Sequence, residues 1–314
     1  MIGAGSLGAG GTTTGEIMRI GVQYQRADAT AVRFARRAEA EGFDSVFCGD
    51  HVGHLYDGVA MLGVLAGATS TITVGLNLLV VPYRPAAVIA KALATVAMVA
   101  PGRVVAGFGV GGEFPGEFVA TGADRRVRGA YTDEALEVVA RLWTGEPVSF
   151  AGRFTTLDRF ALEPAPEPVP PIWIGGRSEA ALRRAVRFAE VYSPYLVSPE
   201  QVASRRARLD ELAVEAGRDP AGIGTAALVT VVPAVDAEAA VDRALGALQL
   251  AGLSRDRVRA HYLLGRAVDM VERAAAYHAV GCDRLVLGCL PGDDADLDDF
   301  FAAAGAVRDA AAAW

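Results

Sequence analysis

From Met18 onward the chain repeats one pattern: a short apolar run, then an amphipathic stretch of helical length. The runs are MRIGVQ (18–23), DSVFCG (44–49), TITVGLNLLV (71–80), RVVAGFGVGG (103–112), PPIWIGG (170–176), the weaker EVYSPYLV (190–197), GTAALVTVVP (224–233) and DRLVLGCL (283–290). Helices are predicted over 29–42, 59–70, 85–100, 127–143, 178–189, 199–217, 236–251, 268–281 and 297–313. A charged insert around 254–265 interrupts the seventh unit, and VSFAGRFTTL (148–157) reads as a small hairpin outside the repeat. Near-continuous apolar strands are buried on both faces, which requires a parallel sheet covered by helices. Eight such units predict an α/β fold closed into a (β/α)8 barrel with small insertions. EGFDSVFCG (41–49) and VGCDRLVLG (280–288) echo each other, with a helix-ending glycine, an aspartate and a buried strand. The rival is an open doubly wound sheet, whose phosphate-binding glycines follow the first strand. VQYQRAD, after the first strand, has none.

The glycine motif of the first residues misleads. Gly3, Gly5 and Gly8 spell G-x-G-x-x-G, but only two residues precede Gly3 and GGTTTGE follows, so neither a strand nor a helix frames it. Residues 1–17 read as a flexible leader without the basic start and apolar core of a secretory signal, and 18–314 as one barrel domain. No apolar run is long enough to cross a bilayer; TITVGLNLLVVPY is cut short by Pro82 and Arg84. A net charge of −7 without a basic block argues against nucleic acid as a partner. Cys48, Cys282 and Cys289 are odd in number, lie in or beside apolar runs and lack metal spacing. They read as reduced core thiols of a cytoplasmic protein.

In such a barrel, function sits where strands run into their following loops. The second strand ends in Gly49-Asp50-His51. Histidine exchanges protons near neutrality and an adjacent carboxylate can orient it; equally, Asp50 can cap a turn and His51 be an ordinary polar residue. His51-x-x-His54 resembles a metal pair, but no strand end offers another histidine, so no metal is expected. IGGRSEAALRRA places Gly175, Gly176, Arg177 and Ser178 between a strand and a helix start, where bare N–H groups and the helix dipole favour an anion. An ordinary turn with Ser178 as N-cap is the other reading. GFGVGGEF gathers Gly109, Gly111 and Gly112 at the fourth strand's end, where backbone can approach a flat ligand. Glu113 follows, over a pocket or as a solvated loop acid.

Taken together, RIGVQ, EGFDSVFCGDHV, VGLNLLVVPYRPAAVIAKALATV, GRVVAGFGVGGEFPGEFVATG, TDEALEVVARLWTGEPVSFAGRF, PPIWIGGRSEAALRRA and PYLVSPEQ resemble the luciferase-like monooxygenase superfamily, over Met18 to about Leu290. The resemblance implies a bacterial-luciferase-like barrel oxidoreductase holding a flavin or deazaflavin ring at its mouth. In deazaflavin members a non-proline cis peptide ends the third strand; here it maps to Asn77-Leu78, with Gly109, Gly111 and Gly112 along the cofactor and Gly175–Ser178 at its phosphate. His51 matches a substrate-facing histidine, with Asp50 beside it and Glu113 one residue beyond a glutamate position occupied here by Gly112. The family's Gly-Asp-Gly-Trp appears as Ala189-Glu190-Val191-Tyr192. Asp-His rather than Glu-His-His favours coenzyme F420 over FMN, and Arg125, Arg126, Arg128, Arg177, Arg183 and Arg184 are candidates for its acidic tail. The expectation is hydride transfer to or from a small-molecule substrate by a cytoplasmic homodimer paired through its second and third helices. An FMN-dependent monooxygenase using O2 is the same-fold alternative, and a metal-dependent barrel hydrolase the alternative of another class.

Overall fold

The computed structural model describes residues 17–26, 28–248, 253–290, 292 and 294–314. The G-x-G-x-x-G stretch of the leader and the end of the predicted helix 236–251 lie outside them.

Eight parallel strands form a closed ring. In chain order they are β1 (Arg19–Tyr24), β2 (Ser45–Cys48), β3 (Thr73–Leu76) with its continuation β4 (Leu79–Val80), β5 (Val104–Gly109), β8 (Ile172–Ile174), β9 (Val191–Tyr192), β10 (Gly224–Pro233) and β12 (Arg284–Cys289). Each pairs with the next, and β1 pairs with β12 to close the barrel (Ile20 opposite Leu285, Val22 opposite Leu287). The weak sixth run shrinks to two residues, yet these bridge β8 and β10. The hairpin is real: β6 (Val148–Ala151) pairs antiparallel with β7 (Thr156–Phe160) outside the ring.

Helices α1 (Ala31–Ala40), α2 (Gly58–Ala68), α3 (Ala86–Val99), α5 (Arg128–Leu142), α6 (Glu179–Phe188), α7 (Pro199–Glu215), α8 (Ala237–Ala247), α10 (Ala267–Ala279) and α11 (Asp294–Ala311) surround it. Strand residues alternate between two cores, as a period of two requires. Val46, Cys48, Val104, Ala106, Leu285 and Leu287 pack outward with the helices. Phe47, Val105, Trp173, Val191, Ala226 and Val286 fill the interior, where the Phe47 and Trp173 rings lie 4.9 Å apart. The barrel is therefore plugged by side chains and only its mouth is available for a ligand.

Three features depart from a plain repeat of strand and helix, the first of them where the resemblance places it. The third strand is broken at Asn77-Leu78, whose peptide bond is cis. The bulge presses Leu76 O on β5, where a Cβ at Gly107 would lie 2.0 Å from it, so only glycine fits opposite. The glycine-rich loop then runs into a short helix, α4 (Pro115–Thr121), begun by a proline that needs no N–H partner. The charged insert, given no secondary structure in the sequence reading, forms α9 (Arg255–His261) and β11 (Leu263–Gly265), which pairs with β10 outside the ring. Val258, Tyr262 and Leu263 are buried there, an apolar signal diluted in sequence by the surrounding charges. Among the described residues no helix is long and apolar enough to cross a membrane.

Candidate active site

The loop leaving β2 carries the densest polar network at the mouth. Asp50 is buried, and its carboxylate accepts from Gly58 N (2.9 Å), Val80 N (3.0 Å) and both ends of the Arg84 guanidinium (2.7 and 2.9 Å). Arg84 reaches on to Asp57 at 2.5 Å, and Tyr131 OH donates to Arg84 O. Asp50 therefore ties the β2 loop to β4 and the turn after it, with its acceptor sites occupied inside the protein. It holds its neighbour in place.

That neighbour, His51, reaches the surface of the mouth. Its Nδ1 lies 3.2 Å from Oε2 of Glu117, in the first turn of α4. Glu117 is buried and also accepts from Val52 N (3.1 Å), Gly53 N (2.9 Å) and Tyr83 OH (3.1 Å), while His54 Nδ1 stands 3.2 Å from its other oxygen. Burial alone would raise the Glu117 carboxyl, but the Gly53 N–H, His51 and Tyr83 together hold it below the usual carboxylate range. Burial and the adjacent His51 lower His54, partly offset by Glu117. The two imidazoles stack with centroids 3.9 Å apart, and Phe114 packs against both. Because Glu117 is held as the anion, the His51 Nδ1 that faces it carries a proton and donates, leaving Nε2 as the ring's exchangeable position.

The sequence reading singled out Asp50, His51 and Glu113 but missed Glu117, Phe114, Tyr83 and Arg84. Phe-Pro-Gly-Glu, a proline helix start with an acid in its first turn, is the signal that marks Glu117 as a fixed group. Glu113 lies close enough to feel both Arg177 and His51. It is solvent-exposed, but the surrounding protein desolvates it enough to raise its carboxyl despite those two groups.

Below this network lies an apolar floor. The Leu78 side chain runs past Gly107, Gly109 and Gly175, and a Cβ at Gly175 would stand 2.0 Å from Leu78 Cδ1. Asn77 Oδ1 faces Ser193 Oγ at 3.3 Å, while its buried Nδ2 has no partner among the described residues; nor has Gln23 Oε1. Gly111 and Gly112 have positive φ, +63° and +132°, and a Cβ on Gly111 would meet Val80. At the β8 end Gly176 takes φ +111° and Tyr192 OH donates to Gly176 O. Ser178 caps α6 by accepting from Ala181 N, so its side chain serves the helix. Arg177 lies over the Tyr195 ring. Of the other arginines, Arg126, Arg183 and Arg184 pair with Asp124, Glu179 and Asp133, whereas Arg125 donates to Gly112 O and Arg128 to Arg125 O.

A plugged parallel barrel with a glycine-lined mouth and an anchored histidine is the arrangement of a (β/α)8 barrel enzyme, whose site lies at the strand ends. The profile of the luciferase-like monooxygenase family matches residues 10–281, and the chain belongs to that family. An F420-dependent hydroxymycolic acid dehydrogenase from Mycobacterium tuberculosis is 31% identical over 264 residues, 76% of this chain and 72% of that protein. An F420-dependent glucose-6-phosphate dehydrogenase from Nakamurella multipartita is 34% identical over 165 residues. That match covers 49% of this chain, which thus spans about half the length of that relative (48%). The fold is also that of an F420-dependent secondary alcohol dehydrogenase, with TM-score 0.82 at 24% identity, covering 94% of this chain and 100% of that one.

Proposed function

We propose that the protein is a coenzyme F420-dependent oxidoreductase that exchanges hydride with a small organic substrate carrying an alcohol or carbonyl group. The observation that carries this reading is the His51–Glu117 pair. It orients the imidazole at the mouth so that Nε2 can take a proton from a hydroxyl, or return one to a carbonyl oxygen. The residues present fit a flat, polar-edged cofactor. Leu78 and the glycines 107, 109 and 175 make a surface that side chains would obstruct, and Asn77 Nδ2 and Gln23 Oε1 are buried polar atoms in need of partners. Asn77, Leu78, Gly109, Gly111 and Gly112 would line the ring, and Gly175, Gly176, Arg177 and the N–H groups starting α6 would hold its phosphate. Bound there, the deazaflavin supplies the carbon that gives or accepts hydride. The chain's own work is to position substrate, hold His51 through Glu117 and move one proton at Nε2. The relatives named as F420-dependent support the choice of F420 over FMN.

Fluorescence titrations of the apo protein with oxidised F420 and then FMN test the choice. Binding of F420 at concentrations where FMN does not bind is the expected result. A preference for FMN would overturn it and make oxygen consumption with reduced flavin the assay to run next.

A further inference from the structure

We propose that His51, His54 and Glu117 also form a binding site for one zinc-class divalent metal ion, and that its occupancy switches off proton transfer by His51. Among the described residues this is the one group of three or more His, Cys, Asp or Glu side chains that gathers a donor atom from each, all within 4.8 Å of one another. Both imidazoles turn Nδ1 to the same carboxylate, each at 3.2 Å, with their rings stacked 3.9 Å apart. A tetrahedral ion with ligands at about 2.0–2.2 Å keeps its donor atoms roughly 3.3–3.6 Å apart; the His51 Nδ1–Oε2 separation of 3.2 Å is already close to that, while His54 Nδ1, now 3.2 Å from Oε1, has to swing toward an ion on Oε2. Only the His54 ring needs to turn.

The two carboxylate oxygens differ. Oε1 already takes the Val52 and Gly53 N–H groups and faces His54, whereas among the described residues Oε2 meets His51 and the Tyr83 hydroxyl. Oε2 therefore keeps a lone pair for a metal while Oε1 stays anchored to the loop. Such outer hydrogen bonds are what orient a ligating carboxylate. Two imidazoles and one carboxylate suit zinc and leave a fourth position for water.

The consequence for His51 rests on the hydride-exchange reading above. With a metal on Nδ1, Nε2 must keep its proton, and the ring cannot accept one from a substrate hydroxyl. Zinc binding and turnover therefore compete for the same imidazole.

Calorimetric titration of zinc chloride into metal-free full-length protein tests the site, with elemental analysis after dialysis giving the stoichiometry. One ion per chain is expected, bound about tenfold or more weakly by His54→Ala and by Glu117→Gln. The His54 side chain is 37% exposed, so its truncation leaves the core intact; circular dichroism checks both variants. Unsaturable zinc uptake, or equal affinity in wild type and His54→Ala, overturns the site. Zinc inhibition of hydride exchange that weakens in His54→Ala, relative to that variant's own metal-free rate, supports the competition; inhibition unchanged by the substitution overturns it. Zinc uptake without any F420 binding would fail the functional reading and leave the metal site standing.

Discussion

At the scale of single residues, adjacency in sequence separates into two different jobs. Asp50 and His51 stand side by side, and the motif makes them look like one chemical unit. The buried Asp50 carboxylate instead faces Arg84, 34 positions onward, whose side chain is 16% exposed. Sequence carries no sign of that pairing, because it depends on where the chain returns after the broken third strand. Asp50→Ala leaves Gly58 N and Val80 N without their acceptor and Arg84 with only Asp57, so it should destabilise the fold by about 3 kcal/mol. The double variant Asp50→Ala/Arg84→Ala should cost less than the sum of the singles, as urea unfolding of the four proteins would show. His51 behaves oppositely, since it supports no buried partner beyond Glu117. His51→Ala should lower turnover about 10²–10⁴-fold and leave the F420 dissociation constant within about twofold. Equal losses in turnover and cofactor affinity would reassign His51 to binding. The glutamate partner escaped sequence reading for the same reason as Arg84: Glu117 is 66 residues from His51, and only the folding of α4 over the mouth joins them.

At the scale of elements, the repeat of buried strand and amphipathic helix was legible because each strand is apolar on both faces. The misses fall where an element is short or its apolar content is diluted, as at β11 and α4. The start of β3 shows how one side chain can frame an element. Glu39, near the end of α1, accepts from Ser70 N, Thr71 N, Ile72 N and the Thr71 hydroxyl, covering backbone donors that lead into the strand. What burial it has would raise the Glu39 carboxyl, but those N–H groups pull it from 4.5 down to about 2. A carboxyl depressed in the folded state adds stability above its unfolded value, and loses it as pH falls through the folded one. Glu39 should therefore stabilise the protein at neutral pH and cease to do so between about pH 4.5 and 2. Solvent reaches this site, so the gap between wild type and Glu39→Gln is expected to be only about 1 kcal/mol at pH 7. Denaturation curves at pH 7, 4 and 3 should show the gap closing as the acid is protonated. A gap that stays constant with pH would place the effect in packing, not charge.

At the scale of the whole molecule, closure makes the mouth and the rest of the barrel one cooperative unit. The ring depends on β9, whose two residues pair with both β8 and β10, so local opening there would break the sheet. A ligand held by the loops after β2, β3, β5 and β8 should therefore stabilise the whole barrel, not the loops alone. At F420 concentrations a hundredfold above the dissociation constant the gain is about 2.7 kcal/mol, if the unfolded chain binds none. Two tryptophans can check whether the gain is global. Trp173 is packed inside the barrel against Phe47, and Trp143 lies in the outer helical layer, donating to Ala90 O at 3.0 Å. Thermal melts followed by tryptophan fluorescence, in variants that carry Trp314→Phe and a second Trp→Phe so that only Trp143 or only Trp173 remains, should shift upward by the same amount with F420. Far-UV circular dichroism should move with them. If the Trp173 signal shifts while the Trp143 signal does not, the helical layer melts apart from the barrel. Binding at the mouth would then stabilise only the ring.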